Sequence, residues 1–336
     1  MLSAHSLFNC HYRLTMYACI DLGSNSFHIL IGEWIDGRIE IVERSSDSVQ
    51  LGEDVRKNGS ISPAAYKRGL DCLQYFKTLM DEYPLEKYWA LGTNTFRVTD
   101  NAQNFIQAAR DIGIEISPIS GVQEAVLIYA GVITSLPPSD NHRLVIDIGG
   151  GSTEIIIGHK HNRLLTQSMA IGSVAWRDKF FSPKTSDPLL LEKQLDAATA
   201  ASKAVFDSIS IGVKKAGWEE AYASSGTVKM LAAICQAHGF DKGGIELAAL
   251  QTLKLQITNA ISGGGDLPGL KERRRELLLP GLAVLVGLMQ SYTVERINFS
   301  ATALREGMLD FMVKNKKTLA IMQNSRLPDV SLTDNS

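Results

Sequence analysis

The sequence predicts an α/β protein made of two domains that flank a cleft. Its length of 336 residues corresponds to about two domains of ordinary size. Short runs of β-branched residues, typical of buried strands, alternate with longer segments whose apolar residues recur at helical spacing. The segment 21–32 also aligns without gaps on the segment 147–158, so the two halves are expected to share one build.

The composition excludes several classes of protein. A hydrophobic content of 45% allows a core in each half, and a net charge of -2 argues against a general nucleic-acid coat, which would be basic. The four cysteines lie far apart, which fits a reducing, cytoplasmic compartment rather than a disulfide framework or a zinc site. The longest apolar run, 277–289, is interrupted by Pro280 and Gly281 and is too short to span a bilayer. Neither a nucleic acid nor a membrane is therefore an expected partner.

The strongest local pattern predicts a hairpin at residues 144–157. Two β-branched runs flank three glycines, which allow a tight turn. Clustered N–H groups at the tip would form an anion-binding nest, and carboxylates beside a phosphate require a hard cation, Mg²⁺ or Mn²⁺. The candidate phosphate ligands are Gly149, Gly150, Gly151, Ser152 and Thr153, and the candidate metal ligands are Asp147 and Glu154. A glycine-rich turn without a ligand is the alternative interpretation.

The repeat predicts a second hairpin of the same kind at residues 21–32. Among the identical pairs are Asp21 with Asp147, Gly23 with Gly149, and Ser26 with Ser152. Two such tips that face each other across a cleft would hold a polyphosphate from both sides, which favours a ligand-binding role. The candidate phosphate ligands here are Gly23, Ser24, Asn25 and Ser26, and Asp21 is a further candidate metal ligand.

The remainder of the first half predicts strands at 38–42, 88–91 and 114–119, with helices that begin near residues 62, 99 and 120. Asn94 and Thr95 are short hydrogen-bonding residues at the end of a strand, and Arg97 could fork onto phosphate oxygens. A surface arginine beside an ordinary helix cap is the alternative for Arg97. Glu124 follows a Ser120–Gln123 capping box, where the helix dipole favours a carboxylate, so a purely helix-stabilising acid is one interpretation.

The segment 137–140, with two prolines, predicts the domain boundary. The expected domains are 16–136 and 137–316, with flexible ends at 1–15 and 324–336, and Met16 is an alternative start. In the second domain, strands are predicted at 164–171 and 295–299, and helices at 189–212, 281–289 and up to about 313. Ser225, Gly226 and Thr227 begin another helix, which suits either a phosphate or sugar contact or a serine-rich N-cap. The charged segment 271–275 is interpreted as a solvated helix surface.

Six motifs, taken in this order, resemble the exopolyphosphatase / guanosine pentaphosphate phosphohydrolase family of the actin / Hsp70 / sugar-kinase superfamily. They are found at residues 21–28, 92–97, 120–125, 147–154, 224–227 and 303–307. The resemblance extends from Tyr17 to Val313 and implies two ribonuclease H-like domains with the active site in the cleft between them. It departs from the family at Val122 and Gln123, where many members carry Arg-Glu.

The resemblance also implies roles for individual residues. Glu124 would activate the attacking water, Arg97 would meet the phosphate, the glycine loops would grip phosphates, and Asp147 and Glu154 would serve the divalent metal. Longer members add a C-terminal helical module. The chain therefore resembles the short two-domain branch, for which we expect distributive action on long polyphosphate.

The function expected from these observations is release of terminal orthophosphate from inorganic polyphosphate or from the 5′ end of guanosine pentaphosphate. The sequence does not rank these two substrates, and it leaves a homodimer open as the assembly. Two other functions stay open: a small-molecule kinase of the same superfamily, and a nucleotide-binding regulator without catalysis.

Overall fold

The computed structural model describes residues 15–35, 38–182, 184–240, 243–314 and 331–332. Of the two ends predicted to be flexible, only Thr15, Ser331 and Leu332 lie within these ranges. The strands are β1 (Thr15–Leu22), β2 (Phe27–Ile35), β3 (Arg38–Asp47), β4 (Leu85–Gly92), β5 (Ile116–Pro118), β6 (His142–Ile148), β7 (Thr153–His159), β8 (Asn162–Met169), β9 (Glu220–Ser224), β10 (Gly244–Glu246), β11 (Arg296–Phe299) and β12 (Ser331–Leu332).

The helices connect these strands and cover the sheets. They are α1 (Val55–Asn58), α2 (Pro63–Asp81), α3 (Asn94–Val98), α4 (Ala102–Asp111), α5 (Gly121–Ile133), α6 (Ser173–Phe180), α7 (Pro188–Ala216), α8 (Gly226–Ala237), α9 (Leu247–Gly263), α10 (Leu278–Tyr292) and α11 (Leu304–Lys314), with a 3₁₀ helix at Glu272–Leu277. No helix in the described ranges has the length and apolar character that a membrane crossing requires.

The two sheets repeat one strand order. In the first sheet, β3, β2 and β1 form an antiparallel meander, and β4 and β5 continue it in parallel. In the second sheet, β8, β7 and β6 form the same meander, and β9 and β11 continue it in parallel. Short edge strands differ: β12 pairs with β4, and β10 pairs with β11. The internal sequence repeat is therefore a repeat of architecture, as the predicted pair of ribonuclease H-like domains requires.

Three apolar clusters hold the sheets and helices together. One lies on the outer side of the second sheet against α6 to α10, and a second packs α2 and α4 on the first sheet. The third lies between the sheets, where α5 and α11 bury residues from both, such as Leu30 and Ile156. Since α11 belongs to 137–316 yet packs on α5 and β1, the two halves are joined through this layer. The boundary at 136/137 itself stays a prediction.

Several local predictions are confirmed by the helix termini. Ser62 accepts a hydrogen bond from the Ala65 N–H with Pro63 in the first turn, and Ser120 with Gln123 forms a reciprocal capping box. The helix expected near residue 99 is placed differently, because α3 begins at Asn94 and α4 begins at Ala102. The Asn94 and Thr95 side chains therefore lie in a helical first turn directly after β4.

Candidate active site

The two hairpin tips have the same turn. The Gly149 N–H donates to the Ser152 carbonyl at 2.9 Å, and the Gly23 N–H donates to the Ser26 carbonyl at 3.2 Å. A Cβ on either glycine would lie 3.0 Å from that same carbonyl oxygen, so both turns favour glycine for a steric reason. The predicted hairpins are confirmed, and the sequence repeat corresponds to one backbone turn formed twice.

The tips meet each other and α3. A Cβ added to Gly150 would lie 3.0 Å from the Ser24 Cβ, and a Cβ added to Gly151 would lie 2.1 Å from the Asn94 Oδ1. The Thr95 hydroxyl donates to the Ser24 hydroxyl at 2.9 Å, which fixes the first tip on the N-terminal turn of α3. The structure thus brings together predicted phosphate ligands from both halves, and glycine at 150 and 151 leaves room for the Ser24 and Asn94 side chains.

The second hairpin carries a pair of carboxylates in cross-strand register. Asp147 on β6 is paired with Glu154 on β7, so both side chains leave the same face of the sheet. Glu154 is fully buried, its Oε1 accepts a hydrogen bond from Ser168 at 2.8 Å, and its Oε2 has no hydrogen-bond partner within the described ranges. Asp147 accepts a hydrogen bond from the Ser224 hydroxyl on β9. A buried carboxylate oxygen without a donor is what a bound cation would satisfy.

Burial raises the pKa of each of these carboxyl groups. The pKa of Asp147 rises to about 7, mainly through burial and further through the Glu124 charge, against the lowering effect of the Ser224 hydrogen bond. The pKa of Glu154 rises well above its usual range through burial and through the charges of Glu124 and Asp147. Across the cleft, the pKa of Asp21 rises to about 7 through burial, with the Arg305 charge opposing the rise. The acids predicted from the sequence therefore share one electrostatic environment, in which burial and the charges of neighbouring acids outweigh the opposing charge of Arg305.

Glu124 lies in the first turn of α5 and is 8% exposed. The Arg97 Nη1 donates to the Glu124 Oε2 at 2.9 Å and to the Ile119 carbonyl at 2.9 Å. The second nitrogen of Arg97, Nη2, reaches the Ser152 hydroxyl at 3.4 Å. Burial raises the pKa of Glu124 although Arg97 lowers it. The sequence left open whether Glu124 only stabilises its helix and whether Arg97 is a surface residue. The geometry favours a role in the site for both, because the pair is partly buried and contacts the second hairpin.

The third predicted phosphate loop lies at the start of α8. Ser225 caps this helix by accepting from the Thr227 and Val228 N–H groups, and it does so with φ at 100°, a strained value for a residue with a side chain. A Cβ on Gly226 would lie 2.2 Å from a guanidinium nitrogen of Arg274. The loop is therefore a true N-cap, and an arginine lies directly on its glycine.

Arg274 corrects one expectation from the sequence. The segment 271–275 is not a helix surface that is solvated throughout, because Arg274 is half-buried and burial lowers its pKa. The pKa of His28 on β2 is lowered to about 3, mainly by burial and further in the same direction by the charges of Arg305, Arg274 and Arg273. None of these residues was predicted as a site residue. The only sequence signal was the position of His28 and Arg305 inside two of the six motifs, because Arg273 and Arg274 lie outside all of them.

A divalent metal fits the acidic side of this site as a partly hydrated ion. Within the described ranges, no group of three or more histidine, cysteine, aspartate or glutamate side chains forms a metal-binding cluster. Mg²⁺ usually binds one or two carboxylates and keeps water and substrate phosphate as its other ligands. The paired carboxylates of Asp147 and Glu154, with a Glu154 Oε2 that lacks a hydrogen-bond partner in the described ranges, match that pattern. Asp21 as a third metal ligand stays a prediction.

Comparison with known proteins agrees with the fold and the motifs. The model of the Ppx/GppA phosphatase family matches residues 30–316. A relative from Pseudoalteromonas translucida named guanosine-5′-triphosphate,3′-diphosphate pyrophosphatase is 37% identical over 300 residues, which cover 89% of this chain and 59% of the relative. A relative from Haemophilus influenzae named putative exopolyphosphatase is 33% identical over 300 residues, covering 89% of this chain and 91% of the relative.

Solved structures show the same architecture. An exopolyphosphatase from Cytophaga hutchinsonii aligns with a TM-score of 0.77 and 26% identity over 90% of this chain and 99% of that one. The Aquifex aeolicus family member aligns with a TM-score of 0.73 and 24% identity over 90% and 99% of the two chains. The chain spans about 59% of the length of the Pseudoalteromonas relative. From the match over residues 30–316 and the duplicated fold, this chain belongs to the Ppx/GppA phosphatase family.

Proposed function

We propose that the chain is a metal-assisted phosphohydrolase that releases terminal orthophosphate from the 5′ end of guanosine pentaphosphate or from inorganic polyphosphate. The observation that carries the proposal is the position of Glu124, which is buried, paired with Arg97, and linked through that arginine to the Ser152 hydroxyl of a phosphate hairpin. The names of the relatives, one for each substrate, support the same pair of substrates.

The proposed step is an in-line displacement. The oxygen of a water forms a bond to the terminal phosphorus while the bond from that phosphorus to the bridging oxygen breaks, and the bridging oxygen keeps the electron pair. Glu124 takes the proton from the attacking water, and the raised pKa of Glu124 brings its basicity closer to neutral pH. The products are orthophosphate and a chain that is shorter by one phosphate.

The residues around Glu124 would orient its carboxylate, bind the phosphate chain and hold the metal. Arg97 holds the Glu124 carboxylate with one nitrogen and directs the other towards the hairpin tip, where a phosphate oxygen would accept from it. The N–H groups of the two tips offer further donors to the phosphate chain. When bound to Asp147 and Glu154, Mg²⁺ or Mn²⁺ would neutralise charge on the phosphates. Cytoplasmic location and a homodimer stay predictions, as does the absence of nucleic acid from the reaction.

A side-by-side phosphate-release assay tests this function. The purified chain with Mg²⁺ is given guanosine pentaphosphate, polyphosphates of short and long chain length, and ATP with and without small-molecule acceptors. We expect orthophosphate from the first two substrates, with guanosine tetraphosphate and not pyrophosphate as the second product of the nucleotide. ATP consumption that depends on an acceptor would instead establish the kinase. No turnover of any of these substrates would leave the non-catalytic regulator.

A further inference from the structure

Ser168 is placed to orient one of the candidate metal ligands. It lies on β8 directly opposite Glu154 on β7, and its hydroxyl donates to the Glu154 Oε1 at 2.8 Å. The other oxygen of the same buried carboxylate, Oε2, has no hydrogen-bond partner in the described part of the chain. The Ser168 hydrogen bond therefore holds the Oε1 side of the carboxylate, and the nearby Ser152 side chain also stabilises the charged group.

The same serine is in contact with the helix that carries Glu124. A Cβ added to Gly121, the first residue of α5, would lie 2.1 Å from the Ser168 Oγ and 2.4 Å from the Ser168 Cβ. Such distances mean that the backbone at Gly121 already rests on the Ser168 side chain. Glu124 follows three residues later in the same turn. Ser168 thus touches both the carboxylate of the second hairpin and the start of the helix from the first half of the chain.

The internal repeat supplies a comparison within the molecule. Opposite the equivalent position of the first hairpin, His28 on β2, the third strand carries Ser46. Ser46 is exposed, whereas Ser168 is half-buried between the second sheet and α5. Both copies therefore have a serine at this register position, but only Ser168 has a carboxylate as its cross-strand partner.

We propose that Ser168 is a positioning residue for the divalent metal, acting through Glu154 by holding its carboxylate in an orientation that would bind the ion. The inference rests on the proposed function, because it requires that Glu154 is a metal ligand. Hydrogen-bond partners of metal ligands typically contribute about 10- to 100-fold to metal affinity or activity. Removing the hydroxyl would also leave a buried carboxylate oxygen without a donor, which is costly.

The test measures Mn²⁺ binding without substrate, by the loss of the electron paramagnetic resonance signal of free Mn²⁺ as protein is added. The variants are Ser168→Ala, Ser168→Cys, the matched control Ser46→Ala, and Glu154→Gln. Cysteine keeps the contact with Gly121 but is only a weak donor, so it separates the hydrogen bond from the packing. We expect Ser168→Ala and Ser168→Cys to bind Mn²⁺ about tenfold more weakly. Ser46→Ala should bind like the unaltered chain.

Phosphate release as a function of Mg²⁺ concentration provides the second readout. Ser168→Ala should need more Mg²⁺ and then regain most of its kcat at saturation, whereas a merely structural role would lower kcat at every Mg²⁺ concentration. Unchanged Mn²⁺ affinity in both Ser168 variants, beside weakened binding by Glu154→Gln, would overturn this inference and leave the proposed function intact. Unchanged Mn²⁺ binding by Glu154→Gln would overturn the role of Glu154 as a ligand and this inference with it.

Discussion

The hairpin of β1 and β2 and the hairpin of β6 and β7 have the same turn and the same strand register, yet one register position differs in chemistry. Asp21 is paired with His28 in the first hairpin, and Asp147 is paired with Glu154 in the second. The imidazole of His28 is held uncharged at neutral pH by burial and by the charges of three arginines, which lower its pKa to about 3. The pKa of the Glu154 carboxyl is raised by burial and further by the charges of Glu124 and Asp147.

This difference indicates how a duplicated fold can hold a polyanion and a cation together. The backbone turn is common to both copies, so either tip can offer N–H groups to phosphate. The two copies differ in the charges that surround the residue after the turn. The carboxylate of Glu154 would attract a cation, whereas the three arginines near the uncharged His28 would attract an anion. The second hairpin is accordingly the candidate metal side of the site, and the first hairpin is the candidate anion side.

The largest expected effect is that of Glu124→Gln, which removes the proposed base beside the second hairpin. We expect kcat to fall by about 100-fold or more, the usual scale for a positioned acid or base, while substrate binding survives because the hairpins remain. The control is Glu115→Gln, because Glu115 forms an ion pair with Arg110 at 2.8 Å but is exposed. Near-normal turnover of Glu124→Gln would show that this acid only stabilises the helix start.

A smaller effect is expected from pH on metal binding. Burial raises the pKa of Asp147 to about 7, so this candidate ligand is largely protonated at pH 6 and largely ionised at pH 8 when no metal is bound. Because a proton must leave before a metal binds, Mn²⁺ affinity should fall about tenfold for each ligating carboxylate from pH 8 to pH 6. Titration calorimetry at both pH values measures this. The Mn²⁺ affinity of Asp147→Asn should depend less on pH. If the Mn²⁺ affinity of the unaltered chain did not depend on pH, the raised pKa of the ligating carboxyl would be contradicted.

The smallest expected effect concerns the anion side. Arg274→Ala should raise KM for a polyphosphate substrate by about fivefold and make KM less dependent on salt, since one charged contact is worth about one unit of salt slope by analogy with nucleic acids. The Mg²⁺ requirement should stay unchanged. Arg275→Ala is the control, because Arg275 contacts Glu272 and the carbonyls of Ala260 and Gly265 instead. A changed Mg²⁺ requirement in Arg274→Ala would show that the two sides are not separate.

The hairpins could be predicted from sequence because their causes are local. Glycines at the turn, β-branched runs beside it and a gapless repeat are all visible along the chain, and the structure confirms both turns. The capping box before Glu124 is equally local and is confirmed. The partnership of Glu124 with Arg97 is not local, since it joins residues 27 positions apart, and only the family resemblance suggested that they share a site.

The features that sequence reasoning missed depend on long-range packing. Arg274 was interpreted as surface because its neighbours are charged, but the 3₁₀ helix turns it onto Gly226, which is 48 positions away. Ser168 gives no local signal, because its importance follows from the register of β8 against β7. His28 was included in a recognised motif, yet its uncharged state depends on arginines near the other end of the chain.

Mn²⁺ titration of Glu154→Gln, His28→Gln and the unaltered chain, without substrate, tests most directly whether the second hairpin binds the cation and the first hairpin does not. We expect Glu154→Gln to weaken Mn²⁺ binding by about tenfold or more, because a hard cation loses a charged oxygen ligand. We expect His28→Gln to bind Mn²⁺ within about twofold of the unaltered chain, since a neutral group replaces a neutral imidazole. Equal loss of Mn²⁺ affinity in the two variants, or loss in His28→Gln alone, would show that the metal is not bound by the second hairpin alone.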